Sequence, residues 1–534
     1  MLVTKGERGK SGATVMAIGA LAGVGPWKSP EDSRQLHFVD TLRAGCLLNE
    51  QKLTRIMVDE APRRIAELEQ RGAYFARAGK SNRYLLRTEG GHSQPRGIFI
   101  ESRIGLEILK TLYGELARLK TRTVDNLMVI HLQMDNESWG ALGLNIVNGE
   151  WVWLKSKAVV LATGGPGQLY SYNTQNLNNT GDGLALAVNA GATLIDMEFT
   201  QFYPWGFLSH GSRRGLLAGV SYFSRLYNRH KERFMEKYDP IRLEMSTRDI
   251  VARAIYQEIR EGRGTGRGGV YCDMTHNPAS AVRNTLPTIY NYFLHSGIDL
   301  EQKIFEVIPT FHYHMGGVQV DEYWQTCCPG LWAVGEVAGG VHGANRLSQN
   351  SLADILVSGA RAGKRAAEYS LQTKRVRYNP LIIKEVVKKH EKLLSHTPRG
   401  HLRPKQIKRK IQKTMWENVG IIRNKRHLER AHEEMERIRK KETPLMALSS
   451  SDRICNHELV EVFEAHHLEQ IAECIILAAL ARKESRGAHY REDFPIPDNR
   501  NMLKHMTLRK DTREFLLGTC PVDLSIMSAR NFIQ

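Results

Sequence analysis

Hydrophobic residues recur at helical spacing in two stretches of the N-terminal part of the chain. In residues 53–71 and 104–119 the apolar positions return every three or four residues, which predicts two amphipathic helices. Residues 157–162 and 330–335 instead hold short, continuous apolar runs that end in small residues, as buried parallel strands do. A further helix is predicted to begin near Ser351. These elements indicate an α/β protein.

The two predicted strands are separated by a stretch of different character. From about residue 205 to 310 the pattern changes to mixed polar segments, which indicates an inserted unit. Residues 371–490 are predicted to be mostly helical, and the tail after 491 to be irregular. Two glycine-terminated strands of one parallel sheet place their loops at a common edge, where ligands bind. The pattern therefore predicts a doubly wound domain that is interrupted by an insertion and followed by helices.

The positive charge of the chain is concentrated in one segment. The 534 residues carry a net charge of +18, and 42% of them are hydrophobic, as in globular proteins. Residues 374–441 contain 22 Lys and Arg against 7 Asp and Glu, so the rest of the chain is nearly neutral. Two aromatic residues in this segment, Tyr378 and Trp416, are too few for the stacking that single-strand binding requires. A solvated helical face or a face for an acidic partner is favoured, and nucleic acid or an anionic membrane is the alternative.

The cysteine and hydropathy patterns exclude several classes of protein. Seven scattered cysteines without a C-x-x-C motif predict neither a disulfide framework nor a zinc or iron–sulfur site in this chain. His312 and His314 could share a strand face as zinc ligands do, but no further ligands cluster with them, so no metal site is predicted. No apolar stretch reaches the length of a membrane span and no signal pattern is present, so the expected location is cytoplasmic.

Two motifs carry candidate chemistry, and each allows two interpretations. The glycine-rich residues 163–167 suit either a tight turn or the close approach of a nucleotide to the backbone. In residues 342–346 an imidazole and a guanidinium flank small residues. A guanidinium fork suits bidentate recognition of a carboxylate, but a structural ion pair explains the motif equally well.

Taken together and in order, these motifs resemble a known family. The sequence resembles the flavoprotein subunits of succinate dehydrogenase and fumarate reductase, a family that also includes L-aspartate oxidase. The resemblance extends from Lys5 to about His505, and its most specific stretches are residues 11–14, 162–165, 180–183, 196–201, 312–317, 330–352 and 482–495.

The resemblance implies a fold and a cofactor. The fold is a Rossmann-like FAD-binding domain (1–204 and 312–370) interrupted by an α+β capping domain (205–311), with a helical domain (371–490) and a C-terminal tail (491–534). The family positions that line the FAD site correspond to Ser11, Thr14, Thr163, Gly164, Asp182, Glu336, Ser351 and Leu352. The family's covalent flavin histidine is Ala13 here, which implies noncovalent FAD.

The implied chemistry is hydride exchange between flavin N5 and one carbon of a dicarboxylate, with proton exchange at the neighbouring carbon. Arg346 and His312 fall on the carboxylate-binding positions, and Arg248 falls on the proton-transferring arginine. An arginine is a poor acid in water, with a pKa above about 12, so it needs a neighbouring cation or relay. Positive charge around the substrate also stabilises the charge that develops during hydride transfer.

The sequence departs from the family at three further places. The family's opening strand, Gly-x-Gly-x-x-Gly turn and helix have no counterpart, which predicts an N-terminally truncated chain; a split gene and a degenerate protein that does not bind FAD are the alternatives. Tyr203 replaces the active-site histidine, and Trp205 follows it, so the carboxylate pocket is reshaped. Residues 213–217 stand where the family has its acidic relay residue, which leaves the proton route to Arg248 open.

These features predict an FAD-dependent oxidoreductase of the fumarate reductase/succinate dehydrogenase type. Electrons are expected to pass through a separate iron–sulfur subunit, with the basic segment 374–441 as its docking face. No nucleic-acid partner and no direct membrane span are expected, and any association with a membrane is expected through partner subunits. An L-aspartate oxidase-type enzyme is an alternative, although no acidic residue stands out that would bind an α-ammonium group. A thiol-linked fumarate reductase and a non-catalytic subunit of a redox complex are further alternatives.

Overall fold

The chain is described here from a computed structural model. The structure describes residues 1–79, 83–101, 103–135, 138–208, 220, 223–373, 380–395, 402–512 and 514–529. Residues 213–217 of the predicted relay region lie outside the described residues, as do parts of the basic segment 374–441.

The helices alternate with short strands over most of the chain. The helices are α1 Arg34–Ala44, α2 Gln51–Gln70, α3 Ile104–Arg118, α4 Asp182–Asn189, α5 Met235–Tyr238, α6 Arg248–Arg260, α7 Ala281–Thr285, α8 Pro287–Leu294, α9 Asn350–Gln372, α10 Pro380–Ser395, α11 Pro404–Asn418, α12 Lys425–Arg437 and α13 His457–Ala481. The strands are β1 Leu2–Val3, β2 Leu21–Ala22, β3 Leu86–Arg87, β4 Gly97–Ile98, β5 Thr123–Val124, β6 Leu127–Asp135, β7 Ser138–Asn145, β8 Trp151–Ser156, β9 Val159–Leu161, β10 Leu194–Ile195, β11 Thr200–Phe207, β12 Arg225–Tyr227, β13 Val270–Asp273, β14 Phe305–His314, β15 Gly317–Val318, β16 Leu331–Ala333, β17 Ile422–Arg423, β18 Tyr490–Arg491, β19 Lys504–Asp511 and β20 Glu514–Pro521.

The two apolar runs predicted as strands are neighbours in space. Strands β9 and β16 pair in parallel, with Leu161 opposite Ala333, although the insertion separates them in sequence. Helix α9 packs on both strands and on α2. In the turn after the second strand, Gly335 has φ 66° and lies against Ile355 of α9, where a Cβ would come within 2.9 Å of a side-chain carbon. A glycine is therefore required where β16 turns toward α9.

The insertion forms a cap with its own apolar core. Strands β11, β14, β13 and β12 make a four-stranded antiparallel sheet in that order, and α6 packs on β11 and β14. A second hydrophobic cluster, which includes Phe207, Val251 and Phe305, lies beneath this sheet and is separate from the main core. The predicted boundaries at 204/205 and 311/312 fall inside β11 and β14, so these two strands are what joins the cap to the main domain.

The prediction of an irregular tail after residue 491 is wrong. Strands β19 and β20 have eight residues each and form an antiparallel hairpin, and β19 also pairs with β10. The sequence pattern of β19 is weak because polar residues alternate with a few buried apolar ones, of which Met506 and Leu508 face the core. The antiparallel meander β6–β7–β8 also had no counterpart in the predicted elements.

A buried ion network ties this tail to the main domain. Arg482 contacts Glu198, and its Nη1 lies 2.9 Å from Glu484 Oε1. His505 Nδ1 lies 2.6 Å from Asp196 Oδ2. Burial alone would lower the pKa of His505, but the carboxylates of Asp196 and Glu50 outweigh it and raise the pKa to about 10. The protonated imidazole thus holds carboxylates of two distant segments together.

This network predicts a stability that falls in alkaline solution. Because the folded-state pKa of His505 is about 10 and the unfolded value is about 6.5, its stabilisation is complete below pH 6.5 and is lost as the pH rises through 10. Between pH 7 and 9 the free energy of unfolding should fall by up to about 1.4 kcal/mol per pH unit relative to His505→Gln, measured by urea denaturation. The exposed His295→Gln is the matched control and should keep the wild-type slope. Equal slopes for wild type and His505→Gln would show that the histidine is not charged in the fold.

Candidate active site

The antiparallel pairing of β11 with β14 places two of the predicted catalytic side chains side by side. Tyr203 pairs with Thr310 in this ladder, and the Tyr203 ring centroid lies 5.6 Å from that of His312. Tyr203 is buried, and the ring of Trp205 lies 5.7 Å from its own. The two departures from the family pattern therefore form one aromatic wall beside His312.

Arg346 lies in the loop between β16 and α9 and is almost fully buried, with 4% of its surface exposed. Its Nη2 donates to Gln201 Oε1 at 3.0 Å, and its Cζ lies 4.9 Å from the ring centroid of Tyr313. Among the described residues, this guanidinium makes no ion pair with a carboxylate, and its Nε has no hydrogen-bond partner. Burial, together with the charge of Arg248, lowers the pKa of Arg346 to about 10, so it stays cationic at neutral pH. In the described part of the chain, Arg346 therefore takes no part in a structural ion pair of the kind that the sequence allowed.

Gln201 holds this arginine in place. Its side-chain nitrogen donates to Asn345 Oδ1 at 2.6 Å and to the carbonyl of Arg346 at 2.9 Å, while its oxygen accepts from the guanidinium. Since all three bonds link the first cap strand to the loop after β16, they fix the orientation of the guanidinium across the domain contact.

His312 is neutral in this environment. Its Nδ1 lies 2.9 Å from Thr174 Oγ1, and burial, followed by the charges of Arg346 and Arg248, holds its pKa well below the ordinary value. The ring can therefore hydrogen-bond to a ligand but adds no positive charge at neutral pH. The cationic character of the site comes from its two arginines.

Arg248 is the first residue of α6 and reaches from the cap to the main domain. Its Nη2 lies 3.0 Å from Ser348 Oγ and 3.4 Å from Glu89 Oε2, and Ser348 Oγ donates to the same carboxylate oxygen. Its Cζ lies 5.1 Å from the ring centroid of Tyr203. The side chain of Glu89 is 21% exposed, so this chain of polar groups connects Arg248 with solvent.

Glu89 and Ser348 were not predicted from the sequence. Glu89 comes before two glycines in a loop between β3 and β4, and no periodic pattern marks it. The only sequence signal was its position between a threonine and glycines, where a long polar side chain has no local packing role.

A buried ion cluster beneath the loop supports Ser348. Arg96 lies between two buried carboxylates, with its Nη2 2.7 Å from Asp32 Oδ1 and its Nη1 2.6 Å from Asp40 Oδ2. Its Nη1 also lies 3.0 Å from His92 Nδ1, and His92 Nε2 lies 2.7 Å from the carbonyl oxygen of Ser348. The backbone that carries the serine is thus fixed from below.

Comparison with known proteins identifies the family of this chain. A family described as "FAD binding domain" matches residues 1–352, and one described as "Fumarate reductase flavoprotein C-term" matches residues 408–531. A fumarate reductase (CoM/CoB) polypeptide of Methanothermobacter marburgensis is 40% identical over 499 residues, which cover 93% of this chain and 90% of that protein. The chain belongs to the fumarate reductase and succinate dehydrogenase flavoprotein family.

The family's members and structures agree with the predicted fold. The L-aspartate oxidase of a Synechocystis species is 32% identical, over 96% of this chain and 93% of that protein. The solved FrdA chain of E. coli quinol fumarate reductase matches with a TM-score of 0.92 and 30% identity, over 99% of this chain and 92% of that chain. The mixed α/β fold with a helical C-terminal region is thereby confirmed, and the chain is an FAD-dependent oxidoreductase acting on CH–CH groups.

Three of the residues predicted to hold FAD lie in the turn after β9 and at the start of α4. The Thr163 side chain lies against the start of α4, where a Cβ on Gly183 would come within 1.9 Å of its hydroxyl oxygen. Gly164 has φ 75°. Asp182 is engaged by Lys5 Nζ and His467 Nδ1, each at 2.8 Å, and so anchors the start of α4.

Glu336 lies next to this turn and is buried. Its carboxylate accepts from Gln175 Nε2 at 2.6 Å and from the backbone N–H of His314 at 3.0 Å, and a Cβ on Gly165 would come within 2.3 Å of it. Burial raises its pKa to about 7 despite these donors. Both of its oxygens therefore face groups of the chain itself.

The other residues predicted to contact FAD lie near the N-terminus of the chain and at the start of α9. Ser11 lies near Gly6, and Thr14 belongs to a 3-10 turn, Ala13–Met16, that packs on α3. Ser351 and Leu352 begin α9, which packs on the turn that carries Glu336.

The structure offers polar groups and open surface that fit FAD. Val160 of β9 is 38% exposed although it lies in a core strand, and Thr163 just beyond it is exposed. Gln349, at the N-terminus of α9, is 5% exposed, and neither atom of its amide has a hydrogen-bond partner among the described residues. A buried amide and the free N–H groups of a helix start suit the polar edge of a flavin. Thr163, Gly164, Ser351 and Leu352 are the residues that would hold it.

Two further observations concern metal ligands and membrane crossing. Among the described residues, no group of three or more His, Cys, Asp and Glu side chains is arranged to hold a metal ion. His314 is fully buried beside Thr200 and is not part of the site. In the described ranges, none of the helices combines the length and hydrophobicity that a bilayer crossing requires.

Proposed function

We propose that this chain is the flavoprotein subunit of a fumarate reductase-type enzyme that exchanges hydride between FAD and a dicarboxylate such as fumarate or succinate. The observation that carries the proposal is the buried guanidinium of Arg346, which in the described part of the chain donates to an amide oxygen and a backbone carbonyl and to no carboxylate. A buried charge left without a counter-ion is costly, so its retention indicates an anionic ligand.

The arginines divide the binding of the substrate between them. Arg346, oriented by Gln201, presents a planar fork to one carboxylate. Arg248 is placed by the cap on the other side of the site, with its guanidinium against the ring of Tyr203, which in turn lies next to His312. FAD, when bound, supplies the two-electron carrier for the hydride. The positive charges around the substrate stabilise the negative charge that develops as its double bond is reduced.

The proton follows a path across the domain contact. Arg248 donates to the substrate carbon next to the one that receives hydride, and Ser348 and Glu89 return the proton from solvent through their hydrogen bonds. The carboxylate of Glu89, which is linked to the Arg248 guanidinium through the Ser348 hydroxyl, also balances the charge of Arg248 when no substrate is present. This relay takes the place of the acidic residue that the sequence lacked.

Electrons are proposed to pass through a separate iron–sulfur subunit. The similar proteins of Methanothermobacter marburgensis and Rickettsia bellii are named as subunits, and the cysteines of this chain do not form a cluster-binding set. The basic segment 374–441 is proposed as the docking face, with part of its charge used inside the chain: Lys408 pairs with Glu464 at 2.5 Å and Lys410 with Glu442 at 2.6 Å. The exposed remainder, which includes Lys405 and Arg409, is available to an acidic surface.

The direct test follows the flavin itself. Protein reconstituted with FAD is photoreduced without oxygen and then mixed with fumarate, and the oxidised flavin spectrum should return within the mixing time. Reoxidation by oxygen but not by fumarate would contradict the proposal, and so would a failure to take up FAD.

A second candidate, an L-aspartate oxidase-type enzyme, is favoured by one observation. Glu89 places a carboxylate at the site, 3.4 Å from Arg248, where it could pair with the α-ammonium group of aspartate. The 32% identity with L-aspartate oxidase of Synechocystis is in keeping with this alternative.

Glu89→Gln separates the two candidates. For a fumarate reductase, loss of the relay should lower kcat by about 10–100-fold with little change in KM for fumarate, because the proton supply is affected and binding is not. For an aspartate oxidase, the variant should chiefly raise KM for L-aspartate. Glu101→Gln, which removes another carboxylate that contacts the cap at Thr288, is the matched control. An unchanged kcat with fumarate together with an unchanged KM for L-aspartate would exclude both roles for Glu89.

A further inference from the structure

A cavity lies in the helical part of the chain, outside the candidate active site. It has a volume of about 570 Å³ and lies between α13, the segment that follows α12, the last turn of α10 and the hairpin β19–β20. A cavity of this size holds a small organic molecule. The residues that line it have no part in the binding or chemistry described above.

Part of the lining of this cavity is apolar. Met446 and Leu448 come from the segment after α12, Val462 from α13 and Phe515 from β20. These side chains can cover an aliphatic or aromatic body and remove it from water. The cavity therefore favours a ligand with an apolar part.

Glu469 of α13 brings a buried carboxyl group to the cavity. It is 5% exposed, and Thr443 Oγ1 donates to its Oε2 at 2.9 Å. Among the described residues Glu469 makes no ion pair, and the nearby guanidinium of Arg439 is paired with Glu473 instead. Burial raises the pKa of Glu469 to about 7, against the hydrogen bond from Thr443 and the charge of Arg439. A buried carboxylate without a counter-ion is costly, so its presence indicates a cationic group on a ligand.

Lys510 of β19 brings a positive charge to the same cavity. It is half-buried, its Nζ donates to Asn189 Oδ1 at 2.6 Å, and the nitrogen lies 6.0 Å from the centroid of the Phe515 ring. In the described part of the chain this ammonium group makes no ion pair with a carboxylate, and burial lowers its pKa. An anionic group on a ligand would restore the interaction that the lysine lost with water.

We propose that this cavity binds a small zwitterion with an apolar body, which is the chemistry of an apolar amino acid. The ammonium group of the ligand meets Glu469 and its carboxylate meets Lys510. The body lies against Met446, Leu448 and Phe515. A ligand with one charge alone leaves the other buried group unpaired, so full affinity requires both charges. The site is separate from the proposed dicarboxylate site, so its test does not depend on the proposed function.

The experiment measures the binding of two zwitterions, L-phenylalanine and 6-aminohexanoate, to the FAD-loaded protein by isothermal titration calorimetry. The probes differ in the distance between ammonium and carboxylate, which is short in the first and long in the second. At least one should bind with a Kd below about 1 mM. Its counterpart without the amine, 3-phenylpropionate or hexanoate, should bind at least about tenfold more weakly. The proposal is wrong if neither zwitterion binds, or if the counterpart binds equally well.

Variants of the lining place the ligand in the cavity. Glu469→Gln keeps an acceptor for Thr443 but removes the charge, so it should weaken binding of the zwitterion by about tenfold or more. Glu461→Gln is the matched control, since Glu461 lies on the same helix, pairs with Lys408 at 3.6 Å and does not line the cavity. It should bind as wild type does. Leu448→Trp fills the cavity, leaves both charges in place and should abolish binding. If Glu469→Gln does not fold, Leu448→Trp decides, and wild-type affinity in either folded variant overturns the proposal.

The pH dependence of binding tests the charge of Glu469. Because its pKa is about 7, the ionised fraction rises from pH 6 to pH 8, and affinity for the bound zwitterion should rise about tenfold. The other ionisable groups that line the cavity are Lys392, Arg439, His466, Glu473 and Lys510. Burial lowers the pKa of His466 to about 4, so this imidazole stays neutral over the range. The rise should disappear in Glu469→Gln, and a flat profile in the wild-type protein would contradict the assigned role of the carboxylate.

Discussion

Arg346→Met should lower kcat/KM for fumarate by at least about a thousandfold, while the protein keeps or gains stability. The guanidinium is buried and cationic, and its described partners are an amide and backbone. Removing it takes away the group proposed to bind the substrate carboxylate and, at the same time, a buried charge that no carboxylate contacts. A gain of stability with a loss of function is the signature of a residue kept for a ligand.

The measurement pairs steady-state kinetics with urea unfolding. The matched control is Arg482→Met, because Arg482 is equally buried but contacts Glu198 and Glu484. That control should lose about 3–5 kcal/mol of stability, as expected when one partner of a buried ion pair is removed. If Arg346→Met is destabilised to the same extent as Arg482→Met, Arg346 has a structural role and the ligand argument fails.

Arg248→Lys should abolish measurable turnover, a loss of about a thousandfold or more, while FAD stays bound with an unchanged visible spectrum. The planar guanidinium meets Ser348, Glu89 and the face of Tyr203 at once. A lysine ammonium is a single point of charge and cannot hold all three contacts from the start of α6. The proton would then be misplaced even though the net charge is conserved.

Single-turnover reoxidation of the reduced flavin by fumarate measures this effect directly, and fumarate binding should weaken far less than turnover. Arg253→Lys lies on the same helix, pairs with Asp249 and contacts Tyr490, so it controls for changes in the helix. Turnover by Arg248→Lys close to that of Arg253→Lys would remove Arg248 from the proton path.

The elements that the sequence predicted well are those with a strong local pattern. Helices α2 and α3 were expected at 53–71 and 104–119 and are found at Gln51–Gln70 and Ile104–Arg118, since their apolar faces repeat on every turn. Strands β9 and β16 were marked by apolar runs that end in small residues. The hairpin β19–β20 was not, because its stability comes from pairing with β10 and not from its own pattern.

In the candidate site, too, contacts between residues distant in sequence could not be predicted. The positions of Arg346, Arg248 and His312 followed from the resemblance, and the fold brings them into one region. The contact between Ser348 and Glu89 joins residues separated by 259 positions, and that between Arg248 and Glu89 spans 159. A pattern within a short stretch of sequence cannot predict contacts between residues this far apart, because only the folded chain brings Glu89 next to Ser348 and Arg248.

The contact of Arg248 with Ser348 and Glu89 has a consequence for the timing of catalysis. The arginine starts a helix of the cap, and both of its polar partners belong to the main core. An outward movement of the cap that opens the site to substrate would separate Arg248 from Ser348 and Glu89, and would therefore interrupt the proposed proton path. Under the proposed mechanism, substrate entry and proton transfer to the substrate therefore take place in different positions of the cap.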